Sequence, residues 1–167
     1  MSLMPFLSIP VMAVLLVLQS AFFSYATVLG TPVQIMVVVV LAWAMWRGSA
    51  EGSVWAFFAG LFIDYGSISP MGISSAALIL AVVTISPFFP NLPYNRLTLP
   101  ILLAGVAMIT FQLTTLLLLR LTGYPINANL LGLIPVTTVL HALVTLPVFW
   151  FVSSFRRYTR RERTIDL

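Results

Sequence analysis

Between Arg96 and Arg120 the chain reads Leu97-Thr98-Leu99-Pro100-Ile101-Leu102-Leu103-Ala104-Gly105-Val106-Ala107-Met108-Ile109-Thr110-Phe111-Gln112-Leu113-Thr114-Thr115-Leu116-Leu117-Leu118-Leu119, 23 residues without a charge. A helix that crosses a bilayer needs about 20 mostly apolar residues, and this stretch supplies them. Outward from it, the other charge-free runs are 1–46, 52–63, 65–95 and 121–155. Of the 167 residues, 60% are apolar and only 7% charged, with a mean hydropathy of +1.09. A soluble domain carries roughly 25% charged residues, so this chain cannot cover a water-facing surface. That excludes a soluble enzyme, a nucleic-acid-binding domain and a disordered protein. The composition is that of a polytopic membrane protein.

The run 1–46 is long enough for two helices, and Leu29-Gly30-Thr31-Pro32 supplies the break between them. The pattern predicts an all-α protein with six transmembrane helices near 5–25, 32–47, 49–65, 73–90, 98–121 and 129–155. The first lacks a basic leader and its apolar run exceeds that of a signal peptide, so it reads as a permanent span. No linker interrupts the series. Residues 1–155 form one transmembrane domain, and 156–167 a basic C-terminal tail.

Arginine placement sets the orientation. With the tail cytoplasmic, six spans put the N-terminus there too. Arg47, Arg96 and the five tail arginines (Arg156, Arg157, Arg160, Arg161, Arg163) then lie inside, and Arg120 alone outside. Anionic lipid headgroups are natural partners for such a tail, at about 1 kcal/mol per Arg.

The chain has no Cys, one His and four carboxylates, too few donors for most catalytic metal sites, and no cofactor is expected. The informative polar residues are therefore few. Asp64 closes the third predicted helix; it either reaches interfacial water, orders the loop that follows, or pairs with a cation such as Arg120 at the same outer level. Gly60 and Ala56 form a small-xxx-small face that admits a neighbouring helix; Gly48 and Gly52 repeat the spacing. Gly66-Ser67-Ile68-Ser69-Pro70-Met71-Gly72 is a breaker-rich turn fixing how helices three and four meet. Arg47 and Glu51, four apart, make an anchor with its counter-charge or a contact for a cytoplasmic partner. His141, Gln19 and Gln112 read as interhelical hydrogen-bonding groups. Gly72-Ile73-Ser74-Ser75-Ala76 with His141 resembles the Ser and His of intramembrane serine proteases, but its second glycine is Ala76, and Ser74 stands where an N-cap is common.

The ordered elements Arg47-Gly48, Glu51-Gly52, Phe58-Ala59-Gly60-Leu61-Phe62-Ile63-Asp64 and Pro70-Met71-Gly72-Ile73 resemble the rod shape-determining protein MreD family. That family often has Pro-Asp at the start of helix two, where this chain has Pro32-Val33-Gln34. The resemblance implies a non-enzymatic inner-membrane scaffold of the bacterial elongation machinery. Its implied partner is MreC, a single-span protein with a periplasmic domain, with wider links to MreB and to RodA with its transpeptidase. It also implies a fold similar to the six-helix substrate-binding component of energy-coupling-factor transporters. On that reading the bundle offers a groove to a partner helix, with outer loops 65–72 and 122–129 touching the partner's periplasmic part. The competing class is a substrate-binding component for a small vitamin-like molecule, using Asp64, Arg120, Tyr124, Asn127 and Asn129 in the outer half.

Overall fold

The computed structural model describes residues 8–23, 27–28, 31–91, 98–124 and 129–162. Expectations at Arg96, Asn127 and Arg163, and at the ends of the first predicted helix, lie outside the described residues. Among those described, six α-helices follow one another: α1 (Ser8–Leu18), α2 (Ile35–Arg47), α3 (Ser49–Tyr65), α4 (Ile73–Ile85), α5 (Thr98–Leu121) and α6 (Asn129–Glu162). A π-helical turn, Gln19–Phe23, extends α1, and a 3-10 turn, Ser86–Asn91, extends α4. Between α1 and α2 a two-residue antiparallel ladder pairs Thr27 with Pro32 and Val28 with Thr31.

In α2 the run Val37-Val38-Val39-Val40 is β-branched, a poor helix former in water. An apolar setting reverses the preference, because a backbone without water must bond to itself. All four sit in α2, and Met36, Val37, Val38, Val40, Leu41, Ala42, Ala44 and Met45 are buried. This short helix, about 20 Å long at 1.5 Å per residue, is the centre of the bundle, packed against α3, α5 and α6.

Gly48 turns the chain from α2 into α3. Its φ of 97° and ψ of 174° fall in a region essentially open only to glycine. It therefore does not extend a small-residue face, as the Gly48/Gly52 spacing had suggested; it breaks the helix. Gly52 and Gly60 do bring helices together. A Cβ on Gly52 would stand 2.5 Å from Ala44 Cβ, and one on Gly60 would collide with the backbone N and Cα of Ser75. The second approach lets Ser75 Oγ donate to the Phe57 carbonyl at 2.9 Å, tying α4 to α3.

The outer surface of the bundle is apolar. Along α5, Leu102, Val106, Ile109, Leu113, Leu117 and Leu121 are exposed at helical spacing, a face that water would not stabilise. Two helices, Thr98–Leu121 and Gly132–Phe151, are long and apolar enough to cross a membrane; Ser8–Ala21, Ile35–Arg47 and Ile73–Phe89 are apolar but shorter. Helix α6 runs on to Glu162, seven residues past the expected end at Phe155.

Candidate functional site

Asp64 ends α3 and is 2% exposed. Its carboxylate bonds across the turn to the start of α4. Oδ2 accepts from the Gly72 N–H at 2.7 Å, both oxygens accept from the Ser74 N–H at 3.2 Å, and Oδ1 accepts from Ser69 Oγ at 3.1 Å. The Asp64 carbonyl takes the Ser67 N–H and hydroxyl. The first N–H groups of a helix have no intrahelical acceptor, and α4 has no side-chain cap of its own, because its N-cap is Gly72, left-handed at φ 96°. Asp64 supplies that cap from the preceding helix, with its negative charge at the positive end of the α4 dipole. Pro70 stands inside the turn, and its carbonyl accepts from the Ile73 N–H at 3.5 Å.

The pairing of Asp64 with Arg120 is not made. Among the described residues Asp64 has no ion pair, because its acceptor positions are filled by the turn, and Arg120 is exposed at the end of α5. A different contact links the two loops: Tyr124 donates its hydroxyl to the Ile68 carbonyl at 3.0 Å. Around it Tyr65, Ile68, Met71, Leu121 and Tyr124 expose large apolar surfaces.

Beneath this turn lies an open cavity of about 460 Å³. Ser67 and Ser69 stand at its rim, Met108, Phe111, Leu116 and Leu119 line it from α5, and Leu133, Ile134 and Thr137 line it from α6. From Leu119 to Met108 it follows α5 for about 16 Å. Gln34 and His141 also line it. No charged residue lines it, and neither does Tyr124.

The polar groups here are mostly committed. His141, 2% exposed, accepts the Gln34 N–H at Nε2 (2.9 Å) and shares a 2.7 Å bond between Nδ1 and the Thr137 carbonyl. A carbonyl can only accept, so Nδ1 carries the proton and the imidazole is neutral. His141 thus satisfies a backbone N–H at the start of α2, and neither nitrogen is left to activate Ser74. Gln112 bonds Thr137 and Thr138 across α5 and α6. One exception is the Gln34 carboxamide: it makes no cap bond, and its Oε1 is buried without a partner.

At the opposite end, Arg47 and Glu51 form a bidentate ion pair, both N–O distances 2.9 Å. The Arg47 guanidinium lies 5.3 Å from the Trp46 ring, and Trp43 stacks on Trp55 with centroids 4.3 Å apart. Ion pair and aromatics together brace the Gly48 break.

Sequence reasoning missed three participants. Ser69 and the backbone of Ser74 bind Asp64 from within a turn whose shape no spacing announces. Gln34 meets His141 across 107 positions; the available signal was a lone polar residue immediately before the apolar run of α2.

Comparison with curated proteins and with solved structures finds no match. The family described as rod shape-determining protein MreD matches residues 1–158, nearly the whole chain. The chain therefore belongs to the MreD family of membrane proteins, whose role is rod shape determination.

Proposed function

We propose that this protein is a multi-pass, six-span scaffold of the bacterial inner membrane that binds MreC and through it supports peptidoglycan synthesis during elongation. Residues 1–155 form the transmembrane domain; 156–167 form a cytoplasmic tail on anionic lipid. Both termini are cytoplasmic, so the Asp64 end of the bundle faces the periplasm and the Arg47 end the cytoplasm. The fold is that of the substrate-binding component of energy-coupling-factor transporters, used here for assembly. MreB and RodA with its transpeptidase join through the complex.

The observation that carries this reading is the open cavity beneath a turn held rigid by Asp64 and bordered by exposed Tyr65, Ile68 and Met71. A single-span partner emerging beside α5 or α6 would meet that border as it leaves the membrane. The test is purification of the tagged chain from native membranes in mild detergent, with mass spectrometry of its protein and small-molecule content. Recovery of a single-span protein with a periplasmic domain, in fixed ratio, is the expected result; its absence contradicts the reading.

One observation favours a second reading. A volume of about 460 Å³ lies within the range of small-molecule sites, about 300–1,000 Å³. A vitamin-like molecule retained through purification, or an ATPase module recovered with the chain, would select transport.

A further inference from the structure

We propose that Arg120, Leu121 and Tyr124 at the end of α5, together with Ile68 and Met71 of the Asp64 turn, form one recognition surface. It takes an acidic, partly apolar segment of the single-span partner, with a carboxylate of that segment on Arg120. The proposal rests on the scaffold reading and adds the chemistry of the segment that docks.

The surface is continuous. Arg120 stands in the last turn of α5, and Gly123, at φ 79°, reverses the chain after it. The Tyr124 N–H returns to the Leu119 carbonyl at 3.0 Å, and the Tyr124 hydroxyl reaches the Ile68 carbonyl. The end of α5 thus meets the turn between α3 and α4. Leu121, Ile68 and Met71 are all exposed there. Irregular backbone does not face lipid within the hydrocarbon, so this turn lies at or beyond the membrane surface. Lipid tails do not reach Ile68 and Met71 at that level, and water covers them poorly. A protein segment suits them better.

Charge selects the kind of segment. Arg120 is exposed, and among the described residues it has no ion pair. Asp64 is buried and bonded within its turn, and Glu51 is paired with Arg47 at the opposite end. Glu162 closes α6, about 50 Å along that helix from Asn129. No described carboxylate therefore neutralises Arg120. A guanidinium takes a carboxylate through two parallel hydrogen bonds, and Arg, Tyr and Met are enriched at protein interfaces. An apolar patch with one unneutralised cation at its edge complements a segment that carries an acid beside apolar residues.

The test uses membranes expressing both full-length proteins. Arg120→Glu should lower recovery of the partner with the tagged chain about tenfold, through a lost attraction and a new repulsion. The thermal midpoint of the isolated chain should stay unchanged. Reversing one Asp or Glu in the partner's periplasmic segment next to its span should restore recovery with Arg120→Glu and lower it with the wild-type chain. Ile68→Ser should also lower recovery at an unchanged midpoint. Unchanged recovery with either variant overturns the proposal, as does a parallel fall in midpoint and recovery, which marks a structural role. A fall with Arg120→Glu that no reversal in the partner repairs overturns it too. An anionic phospholipid kept by the wild-type chain and lost from that variant would then assign Arg120 to a lipid headgroup. Failure of the wild-type chain to recover any single-span protein overturns the scaffold reading itself, before any variant is compared.

Discussion

Asp64 acts on the fold in a way a charge at a helix end does not usually act: it replaces a missing cap on the next helix. Hydrogen bonds to a charged group contribute about 1.5–3 kcal/mol each. Asp64→Asn, which keeps the shape and loses the charge, should therefore destabilise the protein by about 2 kcal/mol, read as a lower thermal midpoint in detergent. Arg120→Ala should change stability by less than about 0.5 kcal/mol, as a surface substitution away from any network does. Equal losses for both variants would restore the ion pair that the structure does not form. In the cavity lining, His141→Phe keeps a ring but leaves the Gln34 N–H without its acceptor, at a cost of about 1–3 kcal/mol. The same midpoint measurement checks it, and an unchanged value would count against the neutral His141 cap. That Asp64 mattered was legible from one carboxylate closing an apolar run. Its partners were not, because Ser69, Gly72 and Ser74 reach it only once the turn has closed.

The α2–α3–α4 unit depends on Gly48 for its backbone conformation and on Gly52 and Gly60 for close approach. Gly48 supplies a backbone conformation that a side chain strains by about 1–3 kcal/mol, and nothing lies within 4 Å of its missing Cβ. Gly60 supplies space against the Ser75 backbone, which cannot move aside without parting α3 from α4. Gly60→Val is thus expected to abolish the folded protein, read as loss of the monodisperse peak in fluorescence-detected size exclusion. Gly48→Ala should leave a folded protein with a lower thermal midpoint. If Gly60→Val folded normally, the close crossing would be wrong. The helices themselves were largely readable: α3 and α5 run between the residues that flank their apolar runs, Gly48 and Gly66 for one and the vicinity of Arg96 and Arg120 for the other. Helix α6 outran its predicted end because Arg is a good helix former, and a charge stops a span without stopping a helix. The start of α2 moved inward to Ile35 because Thr31 and Pro32 pair with Val28 and Thr27 first, a local pairing with no hydrophobic period to announce it.

At the scale of the whole molecule, composition alone placed the chain in a membrane, since the apolar exterior of α5 and the few charges are two views of one fact. The cavity was not legible, because it is a gap between α5, α6 and the Asp64 turn, and no residue encodes a gap. The earlier candidates for a polar outer site, Asp64 and Arg120, stand outside its lining, while Gln34, Thr137 and His141 take that place. The proposed docking of MreC on the Asp64 end of the bundle is tested most directly by in-cell photo-cross-linking. With the probe at Ile68, 91% exposed beside the cavity, the account predicts an adduct with MreC; with the probe at Trp46, at the Arg47 end, it predicts none. An adduct from Trp46 and none from Ile68 would contradict the account.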